Sequence, residues 1–187
     1  IKAGGANQLE CIEKAKQMGF DGIEIAEIIP HDNSSKKEYA LKIADKCLRL
    51  GFPVINYTIA ADFLNGCGGD LEAEVSRLKD EVDTALILGA KGMRHDATKG
   101  FENRQYRGFD DALPTLITGC REVASYADEN GIKTMVENHG YFVQDSRRVE
   151  KLVNGVSHEN FGLLLDMGNF LCADEKPELA FGRLVPY

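Results

Sequence analysis

The chain has 187 residues, of which 43% are hydrophobic and 28% are charged, a composition that suits one domain with a sizeable core and argues against disorder. The formal net charge is −8, and no run of Lys or Arg exceeds two residues. Neither nucleic acid nor an anionic membrane surface is therefore an expected partner, and a small soluble ligand fits better.

One unit recurs along the sequence: an amphipathic helix, a glycine close after it, and a short strand rich in Val, Ile, Leu or Met. The apolar spacing predicts helices at residues 9–18, 36–50, 71–88, 110–130, 146–153 and 177–184. The strands that follow the first five helices are predicted in DGIEIAE, VINYTIA, KGMRHDA, KTMVEN and GLLLDMG. Glycines such as Gly89 would close the preceding helices in the left-handed conformation.

Start signals mark several of these helices. Ser35, followed three residues later by Glu38, resembles a capping box, and Asp70 and Asp110 are good N-cap residues. Because no hairpin signal joins consecutive strands, they are expected to pair in parallel through right-handed crossovers. Continuous apolar runs such as GLLLDM indicate a sheet that is buried on both faces. The sequence therefore predicts an α/β fold with a parallel sheet.

Two architectures satisfy this pattern, an open doubly wound sheet and a closed (β/α)8 barrel. A nucleotide-binding open sheet would carry a glycine-rich turn, but neither GxGxxG nor GxxxxGK[ST] occurs in the sequence. In a barrel all strand ends face one mouth, so polar residues are expected at every strand end. They occur at all five: Glu24 and Glu27; Asn56 and Tyr57; Arg94, His95 and Asp96; Glu137, Asn138 and His139; Asp166 and Asn169. We therefore predict a barrel.

Two acidic residues stand out among these strand ends. Glu137 in KTMVENHG and Asp166 in FGLLLDMGN each follow an apolar strand segment. The carboxyl ends of parallel strands are where α/β proteins bind ligands and carry out chemistry, so the two carboxylates are candidates for a shared site. The alternative is structural: each carboxylate would cap the next helix or pair with a Lys or Arg.

The segments GFDGIEI, GMRHD, VENHG and LLLDMGN, in this order, resemble the xylose isomerase-like TIM barrels. That family includes sugar and sugar-phosphate isomerases and epimerases, inosose dehydratase, C-glycoside-cleaving enzymes and the endonuclease IV branch. The resemblance implies that residues 1–187 belong to a single (β/α)8 barrel domain that is incomplete at both ends. The chain would hold about strands 2 to 6 with their helices and would lack strand 1 and strands 7 and 8.

The resemblance also implies a metal site. Family members hold one divalent cation with a Glu, an Asp, a His and a Glu at the ends of strands 5, 6, 7 and 8. By motif match Glu137 and Asp166 would be the first two ligands, and the other two have no counterpart in this sequence. Such a ligand set favours Mn, Mg or Co, and Zn also fits.

Further roles follow from the same resemblance. Glu137 would be the general acid/base, and His139 would orient the substrate or act as a base, if the strand continues far enough to place it beside Glu137. Arg94 and His95 could contact sugar hydroxyls or a terminal phosphate, and an ion pair with Asp96 is the alternative.

Asn169 stands where many relatives carry a His and is also assigned to the substrate site. This departure weakens an endonuclease IV interpretation, because a trinuclear zinc cluster needs more histidines than the four present.

The sequence thus predicts a metal-dependent sugar or sugar-phosphate isomerase or epimerase that transfers a proton next to a carbonyl through an enediolate. Two alternatives stay open: a lyase of the same fold, either a dehydratase or a C-glycoside-cleaving enzyme, and a non-catalytic sugar-binding or accessory subunit.

Other expectations concern the surroundings of the protein. Five cysteines without a CxxC pair indicate a reducing compartment, and we predict a cytoplasmic location. No apolar stretch approaches the roughly 20 residues that a membrane span needs. The number of subunits is open, a homo-oligomer included. The polar segment 99–108 is predicted to be a solvated loop.

Overall fold

The computed structural model of the chain describes residues 7–100 and 105–187. Most of the segment before the first predicted helix, and part of the polar loop predicted at 99–108, therefore lie outside the described residues. In these two ranges no helix combines the length and the apolar character that crossing a membrane requires.

Within the described ranges, helices and strands alternate as the sequence pattern predicts. The strands are β1 (Ile23–Ala26), β2 (Val54–Ile59), β3 (Gly92–His95), β4 (Lys133–Glu137) and β5 (Phe161–Leu164). The helices are α1 (Gln8–Gln17), α2 (Lys36–Arg49), α3 (Leu71–Leu88), α4 (Phe109–Glu129), α5 (Ser146–Val156), α6 (Met167–Leu171) and α7 (Pro177–Leu184). A short 3-10 helix, Gly66–Gly69, precedes α3.

The strands form one parallel sheet in the order β1-β2-β3-β4-β5. Each helix from α1 to α4 packs against the next one along the chain, so the helices form a layer that follows the sheet. A doubly wound sheet reverses its strand order at a switch point, whereas a barrel wall keeps strands in sequence. The chain is therefore part of a (β/α) barrel wall, which confirms the predicted fold class.

Most of the predicted local signals are confirmed. Ser35 and Glu38 form the capping box at the start of α2, and the Asp70 side chain accepts the Ala73 N–H at the start of α3. Gly89 ends α3 in the left-handed conformation, with φ 72°.

Two local predictions are wrong. Asp110 does not cap α4, because the helix already begins at Phe109 with Gly108 as its N-cap, and Asp110 lies in the first turn. The residues after Asp166, predicted as the end of a strand, form the five-residue helix α6. This helix starts there because the Asp166 carboxylate accepts the N–H groups of Gly168 and Asn169.

Alternation along the strands decides which side chains face the barrel interior. Residues two apart share a face, so Arg94 lies on one face of β3 while Met93 and His95 lie on the other. Met93 and His95 are fully buried between the sheet and the helix layer. In β4 the buried Val136 likewise belongs to the core, which leaves Glu137 on the face that Arg94 occupies.

Candidate active site

Arg94 joins the carboxylates of two neighbouring strand ends. Its Nε donates to Oε2 of Glu137 at 2.5 Å, while Nη1 and Nη2 donate to the two carboxylate oxygens of Asp96 at 3.2 and 2.9 Å. Nη1 also donates to the backbone oxygen of Ile59 at 3.2 Å. The Arg94 and Asp96 side chains are only 8% and 9% exposed, so these charge-assisted hydrogen bonds are largely shielded from water. Arg94 thus braces protein groups, and these contacts give no support to the prediction that it binds substrate.

Asn169 brings the two predicted metal ligands together. Its side-chain Nδ2 donates to Oε1 of Glu137 at 3.0 Å, and its backbone N–H donates to Oδ1 of Asp166 at 3.2 Å. One residue therefore contacts both carboxylates, which places the ends of β4 and β5 at one site. The contacts of the structural alternative are also present, since Glu137 pairs with Arg94 and Asp166 caps α6.

Asn138, whose role the sequence did not reveal, fixes the position of Asp166 relative to Glu137. Its Nδ2 donates to the backbone oxygen of Asp166 at 2.8 Å, and its Oδ1 accepts the Asp166 N–H at 2.7 Å. The side-chain amide thus pairs with the backbone in both directions after the strand ladder has ended. Because Asn138 is fully buried, these two hydrogen bonds do not compete with bulk water. The VEN motif marked Asn138 in the sequence, but the motif did not show that Asn138 binds the backbone of Asp166.

His139 reaches the site through Asp96. Strand β4 ends at Glu137, so alternation does not decide the orientation of His139. Its Nδ1 lies 2.8 Å from Oδ1 of Asp96, while its side chain is 52% exposed. The imidazole is therefore anchored at one nitrogen and open to solvent elsewhere, an arrangement that suits a group acting on a bound small molecule.

His95 does not join this group. Its ring is fully buried, packs edge-on against Phe63 with ring centroids 5.9 Å apart, and also contacts Phe161. Its Nδ1 lies 2.8 Å from the backbone oxygen of Asp96. Burial lowers the pKa of His95 below its ordinary value. Since His95 faces the helix layer, the structure does not support the prediction that it contacts a substrate at the barrel mouth.

The loops that follow β2, β3 and β4 are tied to one another around the mouth. Oδ1 of Asp62 accepts the Thr98 hydroxyl at 2.7 Å, and the Tyr141 N–H donates to the Lys99 oxygen at 3.2 Å. Gly140 has φ 79°, and a Cβ on it would lie 2.4 Å from the Thr98 oxygen. These contacts hold the rim close to the end of β4.

Glu137 and Asp166 supply the oxygen donors that hard divalent cations prefer. Within residues 7–100 and 105–187, the two hydrogen bonds that the Asp166 side chain accepts fall on Oδ1, and each Glu137 oxygen accepts one, so lone pairs remain on both carboxylates. Among the described residues, no group of three or more His, Cys, Asp or Glu side chains could hold an ion. The two carboxylates therefore fit part of a ligand set, and a complete set requires further donors.

The order of the strands and the carboxylates at their ends define a barrel of the (β/α)8 class with its candidate site at the mouth. The family model of the xylose isomerase-like TIM barrel matches residues 12–186, and the chain belongs to this family. The resemblance seen in the sequence is thereby confirmed. A search of curated proteins finds no match.

Solved structures with the same fold include enzymes of two reaction types. The D-psicose 3-epimerase from Clostridium cellulolyticum H10, determined with D-tagatose, has a TM-score of 0.78 and is 18% identical, over 97% of this chain and 65% of that chain. The probable 3-DHS dehydratase AsbF from Bacillus anthracis has a TM-score of 0.75 and is 13% identical, over 99% of this chain and 66% of that chain.

A third structure is a xylose isomerase-like TIM barrel protein from Mycobacterium smegmatis in complex with magnesium. Its TM-score is 0.72 at 16% identity, over 96% of this chain and 63% of that chain. At these identities the likeness shows the fold. The chain spans less than two thirds of each of the three structures.

Proposed function

We propose that this protein is a metal-dependent isomerase or epimerase that acts on a small-molecule sugar or sugar phosphate in the cytoplasm. The observation that carries the proposal is the contact of Asn169 with both Glu137 and Asp166 at one barrel mouth. Membership of the xylose isomerase-like family and the epimerases among the structural neighbours support it. The five cysteines, which form no CxxC pair, are in keeping with a reducing compartment.

Glu137 is the proton-transfer group in this proposal. Its carboxylate takes the proton from the carbon next to the substrate carbonyl, and the C–H electron pair becomes the C=C bond of an enediolate while charge moves to the former carbonyl oxygen. Return of the proton to the former carbonyl carbon, while the hydroxyl proton passes to the former carbonyl oxygen, gives an isomer. An epimer forms when a second acid donates a proton to the opposite face of the same carbon. Arg94 and Asn169 each hold one oxygen of Glu137, so the carboxylate is oriented before the substrate binds.

Glu137 and Asp166 would hold the divalent cation together with donors outside this pair. Mg, Mn or Co fits their oxygen ligands, and Zn is compatible, while the magnesium complex of the Mycobacterium smegmatis relative supports a hard cation. A cation in this position would stabilise the negative charge that develops on the substrate oxygens. The amide oxygen of Asn169 is then available to a substrate hydroxyl, since its Nδ2 is occupied by Glu137.

Hydrogen exchange into the substrate tests the proposal. The natural protein, supplied with Mg²⁺ or Mn²⁺, is incubated in D₂O with a panel of ketoses and ketose phosphates, and deuterium at the carbon next to the carbonyl is measured by NMR. We expect exchange with at least one substrate and its loss in the Glu137→Gln variant. Absence of both exchange and any product with every member of the panel would instead favour a non-catalytic sugar-binding subunit.

A second candidate is a lyase that uses the same site, and the exposed His139 favours it. In this reaction Nε2 of His139 takes the proton next to the carbonyl, and the C–H electron pair becomes a C=C bond. The C–O bond on the following carbon breaks with its electron pair on the oxygen, and this hydroxyl takes the proton from Nε2 and leaves as water. Product analysis separates the two candidates, because hydrogen exchange without loss of a group supports the isomerase.

A further inference from the structure

Asp96 lies between Arg94 and His139 and belongs neither to the proposed metal ligands nor to the proposed proton-transfer groups. We propose that Asp96 is a positioning residue, which fixes the tautomer and the orientation of His139 so that Nε2 is the nitrogen presented to the substrate. The inference rests on the proposed function only in giving His139 a substrate to act on. The tautomer itself is a property of this chain.

The tautomer follows from the chemistry of the contact. An ionised carboxylate only accepts hydrogen bonds, so the nitrogen 2.8 Å from Oδ1 of Asp96, which is Nδ1, must carry the hydrogen. In a neutral imidazole the other nitrogen, Nε2, then holds the free electron pair. Because half of the His139 side chain is exposed, no surrounding wall would select this tautomer if Asp96 were absent.

The orientation follows from the way Asp96 is held. Both of its oxygens accept from the Arg94 guanidinium, and the Asp96 side chain is only 9% exposed. A paired fork of this kind cannot rotate without breaking two charge-assisted hydrogen bonds. The same guanidinium donates to Glu137, so Arg94 and Asp96 set the Glu137 carboxylate and the His139 ring relative to one another. Two groups able to move a proton are thereby prearranged at the end of β4.

The chain contains a natural reference for the opposite tautomer. Nδ1 of His158 accepts the backbone N–H of Asn160 at 3.1 Å, so this nitrogen carries no hydrogen, and a neutral His158 must be protonated at Nε2. His139 and His158 should therefore show opposite assignments of the two ring nitrogens in one spectrum. His95 is fully buried and serves as a check on the fold.

The experiment is ¹⁵N NMR of the ring nitrogens in the natural protein, labelled at histidine and held at pH 9 with Mg²⁺ present. Signals are assigned with His139→Gln and His158→Gln variants. We expect His139 to show an N–H at Nδ1 and a bare Nε2, with the reverse at His158. A His139 that is protonated at Nε2 in the unaltered protein would overturn the proposal without any need for a variant at Asp96.

The variant Asp96→Ala supplies the second arm, because it removes the carboxylate that accepts from Nδ1 of His139. We expect the hydrogen of His139 to move from Nδ1 toward Nε2, with the signals of His158 and His95 unchanged. We also expect kcat to fall about 100-fold with little change in KM if His139 transfers protons. A His139 that keeps its hydrogen at Nδ1 in a folded variant would overturn the proposal. If the tautomer changes but no substrate exchanges hydrogen, the positioning role stands and the proposed function fails.

Discussion

Replacement of Asn138 by Ala should destabilise the protein by about 2–4 kcal/mol. The change removes two hydrogen bonds, of 2.8 and 2.7 Å, to the backbone oxygen and the N–H of Asp166. Leaving a buried polar group without a partner costs about 1–3 kcal/mol, and the lower part of this range applies to each of the two groups because Asp166 is only partly buried. Water that enters the space vacated by the side chain keeps the total below the sum of the two upper limits.

The assay is urea unfolding monitored by circular dichroism, with the m-value checked so that the midpoint shift reports stability. Asn154→Ala is the matched control, because the Asn154 amide makes one exposed hydrogen bond, at 3.2 Å, to the Tyr187 hydroxyl. We expect the control to change stability by less than about 0.5 kcal/mol. A loss of that small size in Asn138→Ala would refute the view that this side chain holds the ends of β4 and β5 together.

Three further predictions concern stability. The free energy of unfolding should fall as the pH drops below about 6.5, by up to ~1.4 kcal/mol per pH unit, because the pKa of buried His95 is lowered and only the unfolded chain binds a proton there. Urea unfolding from pH 5 to 8 should show that this pH dependence is lost in His95→Phe. An unchanged slope in the variant would contradict the prediction. Arg94→Lys should lower the free energy of unfolding by about 1–3 kcal/mol in the same assay, since an ammonium group cannot reproduce the hydrogen bonds of the guanidinium to both Asp96 and Glu137. A loss below about 0.5 kcal/mol would contradict the structural role of Arg94. Gly140→Ala should lower the melting temperature more than Gly19→Ala. Both glycines have a positive φ, but only at Gly140 would the added Cβ meet the backbone, at 2.4 Å from the Thr98 oxygen. Equal effects of the two substitutions would contradict this prediction.

The parallel barrel wall could be predicted from the sequence because its signals are local. Helical spacing, a glycine after a helix and a short apolar run each depend on residues close together in the chain. The same holds for the capping box at Ser35 and for the placement of Glu137 and Asp166 at strand ends. Helix α6 escaped prediction because five residues are too short to show a helical period, although capping of the next helix was the structural alternative for Asp166.

The connections within the site could not be predicted, because they join residues that are distant in sequence. Arg94 and Glu137 are 43 positions apart, as are His139 and Asp96. Arg94 and His95 are adjacent polar residues in a short strand, and sequence alone did not show which one faces the barrel interior. The pairing register of β3 with β4 places Arg94 beside Met135 and leaves His95 among the aromatic rings of the core.

Isothermal titration calorimetry of the natural protein with Mg²⁺ or Mn²⁺ tests the central claim that Glu137 and Asp166 hold one cation jointly. Glu137→Gln and Asp166→Asn are compared with Glu24→Gln, which alters another strand carboxylate, and with Asp145→Asn, which alters the N-cap of α5. We predict one bound ion per chain, at least ~10-fold weaker binding in each of the first two variants, and unchanged binding in the two controls. Equal metal affinity in all four variants and the unaltered protein would contradict the account.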